Sequence, residues 1–220
     1  MVVNKMKTLI INGGTIEDAF ALSYIERVKP DCILAADRGM EFCYRNQIKP
    51  DVILGDYDSA DKTILEAFRR QSGIEWHQYQ PEKDYTDSEI AIGKAMERNS
   101  SEIHILGGTG TRLDHVLGNI QLLMQPLAKD IPCFLIDSHN RIRLLKARTI
   151  LQKSQQFGKY VSLLPLTTEV TGVTLTGMKY PLQDAAFTSD NTLGVSNEIA
   201  DDEAVIDLEN GILIMIESRD

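Results

Sequence analysis

A chain of 220 residues can bury one large core or two modest ones, and apolar and charged fractions of 43% and 25% are ordinary for a globular protein. A net charge of −9 without any lysine–arginine cluster argues against a nucleic-acid partner. Cys32, Cys43 and Cys133 lack C-x-x-C spacing and suit free thiols in a reducing cytoplasm. No apolar run is long enough for a signal peptide's core or a membrane span, so a soluble cytoplasmic protein is expected.

Thr8-Leu-Ile-Ile11 followed by Asn12-Gly13-Gly14 reads as a strand and a glycine turn. Ala21, Leu22 and Ile25 give helical spacing between Glu17 and Arg27. Cys32–Ala36 is a second strand ending in Asp37-Arg38-Gly39, and a helix through Met40 and Tyr44 follows. Val52-Ile53-Leu54 reads as a buried parallel strand that breaks at Gly55. A helix over 61–70 and a strand over 75–79 come next. Thr86-x-x-Glu89 is a capping box, with Asp87 in the first turn where the helix dipole favours an acid. Ile103–Leu106 is a strand, Gly107-Gly-Thr-Gly110 a loop, and a helix then runs to about Met124 before the strand Cys133–Ile136.

Strand alternating with helix predicts an α/β domain over residues 1–138, with a mainly parallel, doubly wound (Rossmann-like) sheet. Residues 139–220 lack helical period and predict an all-β sandwich. There Ala204–Glu209, Asn210-Gly211 and Ile212–Ile216 give the signal of a hairpin with a type I′ turn.

Ligands of open α/β sheets sit beyond the carboxyl ends of strands, and acids recur at these ends. Asp56 and Asp58 follow the third strand; spaced i and i+2, they point the same way if the chain stays extended. Two carboxylates about 5 Å apart repel by roughly 3 kcal/mol at an effective dielectric of 20, a penalty that a divalent cation removes. An Asx-type turn with both acids solvated is the alternative. Asp37, the Asp84–Asp87 segment and Asp114 stand at further predicted strand ends or just past them. Hard oxygen donors of this kind suit Mg²⁺, which binds through one or two carboxylates plus substrate phosphates. Gly107–Gly110 between strand and helix can aim N–H groups at a phosphate, or be a tight turn that needs glycine. Arg112, His115 and Asn119 share one helical stripe, and Leu113, Leu117, Ile120 and Met124 another.

Together these segments resemble the thiamine pyrophosphokinases (thiamine diphosphokinases). The resemblance rests on Ala36-Asp37-Arg-Gly39, Gly55-Asp56-Tyr-Asp58-Ser59, Lys83-Asp84-Tyr-Thr86-Asp87, Gly107-Gly-Thr-Gly-Thr-Arg112-Leu-Asp114-His115, Thr176-Gly-Met-Lys-Tyr180-Pro-Leu182 and Ser196-Asn197. It implies transfer of the diphosphoryl group of ATP to the hydroxyl of thiamine, giving thiamine diphosphate and AMP. It also implies a homodimer with sites between one catalytic domain and the partner's β domain. By motif match, Asp56, Asp58 and Asp87 would bind Mg²⁺; with Arg112 and Asp114 they form the implied catalytic set. Asp37, Asp84, Thr86 and Gly108 would line the nucleotide side of the site, and Tyr180, Ser196 and Asn197 would bind thiamine. Thr111 stands where the family usually has glycine, and Tyr180 where some members carry tryptophan. Two other readings use the same residues: a non-catalytic nucleotide or thiamine sensor, and an aspartate-nucleophile phosphatase built on Asp56-x-Asp58.

Overall fold

The computed structural model describes residues 5–58, 60–80 and 84–220; Ser59 and Lys83 of the quoted motifs lie outside the described residues. The chain divides into two compact units, Met1–Ser138 and His139–Asp220.

The first unit holds β1 (Lys7–Ile11), β2 (Cys32–Ala36), β3 (Val52–Gly55), β4 (Glu75–Gln78), β5 (Glu102–Leu106) and β6 (Cys133–Ile136). Their order is β6-β5-β1-β2-β3-β4, and every pairing is parallel. The central strands are runs of consecutive buried apolar residues: Leu9 to Ile11, Leu34 to Ala36, Val52 to Leu54. Unbroken runs of this sort mark parallel strands covered on both faces. β4, at the edge, exposes Glu75 and Gln78. From β1 the chain steps outward through β2, β3 and β4, then returns to lay β5 on the other side of β1. The reversal between β1 and β5 opens a crevice at the carboxyl ends of the two strands.

The helices are α1 (Asp18–Val28), α2 (Gly39–Arg45), α3 (Lys62–Arg69), α4 (Asp87–Glu97), α5 (Leu113–Leu122) and α6 (Met124–Leu127). Asp61 caps α3, its Oδ1 accepting from Thr63 N–H at 2.7 Å. Thr86 caps α4, its Oγ1 accepting from Glu89 N–H at 3.2 Å. The other half of the expected capping box is not made, because the Glu89 carboxylate accepts from Gln125 Nε2 at 2.9 Å. The apolar stripe of α5 is only partly buried: Ile120 is covered, Leu113 and Leu117 are exposed.

The second unit holds β7 (Asn140–Leu145), β8 (Thr149–Gln152), β9 (Tyr160–Pro165), β10 (Glu169–Thr176), β11 (Leu182–Thr188), β12 (Asn197–Glu198), β13 (Glu203–Asp207) and β14 (Leu213–Ser218). They form two antiparallel layers, β12-β9-β14-β7 and β11-β10-β13-β8. Val161, Leu163, Leu213 and Met215 of the first share one core with Val173, Leu175, Phe187, Ala204 and Ile206 of the second.

The expected hairpin across Asn210-Gly211 is wrong. β13 pairs with β10 and β8, whereas β14 pairs with β7 and β9. Gly211 has a positive φ of 92° and Asn210 does not, so the two-residue I′ geometry is absent. Both strands bury alternate residues in the same core, and that pattern is satisfied equally well from opposite layers.

Candidate active site

The crevice is floored by two glycine turns in backbone contact. Asn12 N–H donates to Leu106 O at 2.8 Å, and Gly14 N–H to Gly107 O at 3.0 Å. Gly107 has φ +70°, and a Cβ there would lie 2.5 Å from Asn12 O; one on Gly14 would lie 2.3 Å from Gly107 O. No other residue type lets the turns after β1 and β5 approach this closely. Asn119, buried on α5, donates from Nδ2 to Gly108 O at 2.7 Å and holds the second turn to its helix.

Around these turns lies a cleft of about 730 Å³, walled by Asn12 to Thr15, Asp37, Thr86 to Ser88, Gly107 to Arg112 and His115. The first residues of α4 and the N-terminal cap of α5 lie on its wall. Helix N-termini and glycine turns present N–H groups, which suits an anionic ligand.

Of the residues expected from sequence, Asp37, Thr86, Asp87, Gly108 and Arg112 line this cleft. Asp37 takes a left-handed φ of 48°, and its N–H donates to Leu54 O at 2.8 Å, tying the ends of β2 and β3 together. Arg112 reaches Asp114 through Nη2–Oδ2 at 2.5 Å and Nε–Oδ1 at 3.2 Å. This exposed pair raises the guanidinium and lowers the Asp114 carboxyl from their ordinary values. Asp114 itself lines an adjoining hollow of about 410 Å³ with Thr86, Glu89 and His115.

Asp56, Asp58 and Asp84 wall neither hollow. Asp56 Oδ1 accepts from Asp58 N–H at 3.0 Å, which is the Asx-type turn alternative. The alternation argument fails here because strand geometry ends at Gly55 and Tyr57 turns to φ 64°. Tyr57 is buried, donating to the carbonyls of Ile53 (3.1 Å) and His77 (2.9 Å). Among the described residues no three His, Cys, Asp or Glu side chains are gathered as a metal-binding group.

The C-terminal candidates form their own group. Tyr180 is exposed, with Lys179 Nζ 5.5 Å from its ring centroid. Buried Asn197 accepts from Tyr180 N–H at 3.0 Å and donates to Tyr180 O at 2.8 Å. Its amide therefore braces the backbone that carries Tyr180. Ser196 has φ 59° and donates its N–H to Ser162 Oγ at 3.0 Å.

Sequence reasoning missed Asn12 to Thr15 and Ser88 as cleft residues. Glycine turns after two strands were visible, but only the strand order makes them neighbours.

A parallel sheet whose reversal is rimmed by glycine turns and helix N-termini defines an α/β protein with a crevice suited to an anionic ligand. Comparison with known proteins narrows this. The family model "Thiamin pyrophosphokinase, catalytic domain" matches residues 27–135, and "Thiamin pyrophosphokinase, vitamin B1 binding domain" matches 148–213. The thiamine pyrophosphokinase of Bacillus subtilis (strain 168) is 36% identical over 190 residues, 85% of this chain and 87% of that one. A crystal structure of thiamine pyrophosphokinase from B. subtilis superposes with a TM-score of 0.86 at 31% identity, covering 97% of this chain and 99% of that chain. The yeast enzyme's structure shares the fold, with TM-score 0.81 at 18% identity over 98% and 87% of the two chains. The chain belongs to the thiamin pyrophosphokinase family.

Proposed function

We propose that this protein is a thiamine pyrophosphokinase that takes the diphosphoryl group from ATP, using the β1/β5 crevice as its nucleotide site. It is an enzyme that makes thiamine diphosphate, in keeping with both matched domains and the curated relatives. The observation that carries the site assignment is the cleft itself, with Asp37, Asp87 and Arg112 on a wall of glycine turns and helix N-termini.

In this reaction the thiamine hydroxyl oxygen bonds to the β-phosphorus of ATP, the bond from that phosphorus to the α,β-bridging oxygen breaks, and AMP leaves. Such chemistry asks the protein mainly for positioning and charge compensation. N–H groups of the glycine turns and of the first turn of α4 orient the phosphates. Arg112 offers a cation that exchanges Asp114 for a phosphate oxygen. Tyr180 offers a ring face to the thiamine cation, with Ser196 beside it and Asn197 bracing the backbone.

The Asp37 and Asp87 carboxylates on the cleft wall repel a polyphosphate, and carboxylates are the donors that Mg²⁺ prefers. Asp87, half-buried on the cleft wall, is one carboxylate of the kind such an ion needs, its other ligands coming from phosphate and water; Asp56 and Asp58, past the end of β3, are the further carboxylates that the family resemblance assigns to it. Asp56, Asp58 and Asp87 would hold it, and it would neutralise phosphate charge.

The N-terminal unit is thus the Rossmann-like, doubly wound catalytic domain, and the C-terminal unit a β-sandwich for thiamine. A cytoplasmic homodimer completes the reading. It is supported by three buried free thiols and by exposed Leu193 and Val195 near Tyr180 in sequence. No helix among the described residues is long and apolar enough to cross a membrane. Incubation with ATP, Mg²⁺ and thiamine should yield AMP and thiamine diphosphate in equal amounts. ADP as the nucleotide product, or nucleotide binding without turnover, would overturn the assignment and favour a sensor.

A further inference from the structure

Asn12 ends β1 at the reversal and walls the cleft, yet only 5% of it is exposed. Its Nδ2 donates to Ser88 Oγ at 2.8 Å, so the side chain bridges β1 and the first turn of α4. Its Oδ1 is buried and has no hydrogen-bond partner among the described residues. Turning the amide over would give Ser88 to the oxygen and strand the nitrogen instead, so one end is unpartnered in either orientation. A buried amide oxygen left unpaired is rare and costly, and the fold gains nothing from keeping it. A ligand that brings a donor removes that cost on binding.

The chemistry of the missing partner is constrained. Phosphate oxygens are acceptors and negatively charged, so an amide oxygen does not face them. With Nδ2 on Ser88 Oγ, the group that pairs with Oδ1 is a neutral O–H or N–H. Within a nucleotide, only the ribose hydroxyls and the exocyclic amine of the base qualify. We propose that Asn12 recognises the nucleoside: its Oδ1 accepts a hydrogen bond from a ribose hydroxyl or the base amine, while Nδ2 stays on Ser88. This rests on the reading that the cleft takes ATP, since the turns beside Asn12 suit the phosphates of the same molecule.

The test is calorimetric titration of the full-length protein, with Mg²⁺, by ATP, 2′-deoxy-ATP, 3′-deoxy-ATP and purine riboside triphosphate, which lacks the amine. Wild type should bind one analogue about 10-fold more weakly than ATP, the effect of one lost hydrogen bond. Asn12→Ala should bind ATP about 10-fold more weakly and no longer discriminate against that analogue. Asn12→Asp keeps an acceptor, and Ser88→Ala removes only the other contact; both should keep the discrimination. Equal weakening of all four nucleotides in Asn12→Ala would reduce Asn12 to a structural brace and overturn the proposal. So would a wild type indifferent to all three analogues. Wild-type AMP release tests the functional reading separately, because the affinities are measured without turnover.

Discussion

The hydrogen bond from Asn119 Nδ2 to Gly108 O, 2.7 Å and buried, sets the direction of the glycine turn after β5. Asn119→Ala removes the donor and leaves a buried carbonyl oxygen unpaired, a loss of about 2 kcal/mol in stability. For a chain of this size that lowers Tm by about 4–8 °C. Asn119→Asp is nearly isosteric but offers only acceptors, so its carboxylate would face the Gly108 oxygen. Steric reasoning ranks it as the milder change, whereas hydrogen-bond reasoning ranks it as the worse one. Urea unfolding of the two variants at neutral pH should place Asp below Ala, and Ala below wild type. With the turn no longer held, the KM for ATP should rise about 10-fold in both, the range expected for loss of one oriented contact. Variants within about 0.5 kcal/mol of wild type, or Asp more stable than Ala, would refute the role given to this bond.

Asp87→Asn should lower turnover at least ~100-fold, as for one strong transition-state stabiliser; near wild-type rates at saturating Mg²⁺ would remove it from the metal site. Glu75 on β4 is held down to about 2 from 4.5, chiefly by the hydrogen bond with His77 and then by Lys94 of α4 at 3.3 Å and Arg98, the C-cap of α4, at 2.7 Å. A depressed carboxyl stabilises the fold above its unfolded value and loses that contribution as pH falls, here from about 4.5 toward about 2. Glu75→Gln should therefore flatten the acid limb of the stability–pH profile, and an unchanged profile would sink the idea. Asn197→Ala should raise the KM for thiamine about 10-fold with little change in that for ATP, because the bonds lost are those to the Tyr180 backbone and the Glu198 N–H, both in the second unit. Parallel changes in both constants would contradict that division.

Much of this was legible in the residues because buried parallel strands write themselves as apolar runs. Cys32–Ala36 and Val52–Leu54 are plain for that reason, and Thr86 announces α4 because an N-cap favours a short side chain with an acceptor oxygen. What stayed hidden depended on partners distant in the chain. Alternation in Ala204–Leu208 and Leu213–Met215 says which side faces the core, not which layer the strand joins. Asn12 to Gly14 gained meaning only once β5 was found beside β1. The bonds of the Asn197 amide to a backbone 17 residues away are not legible in the residues, because only the fold brings the two segments together. Alternation does not align the two acids of Asp56-x-Asp58, because strand geometry ends at Gly55 and Tyr57 takes a left-handed φ of 64°.

The placement of chemistry at the β1/β5 crevice is tested most directly by a crystal structure with α,β-methylene-ATP, Mg²⁺ and thiamine, in which the bond to be broken is made inert. The expected result is phosphates against Gly107–Gly110 and the first turn of α4, with the metal on Asp87 and at least one of Asp56 and Asp58. A triphosphate bound elsewhere, with the crevice left to solvent, would contradict it.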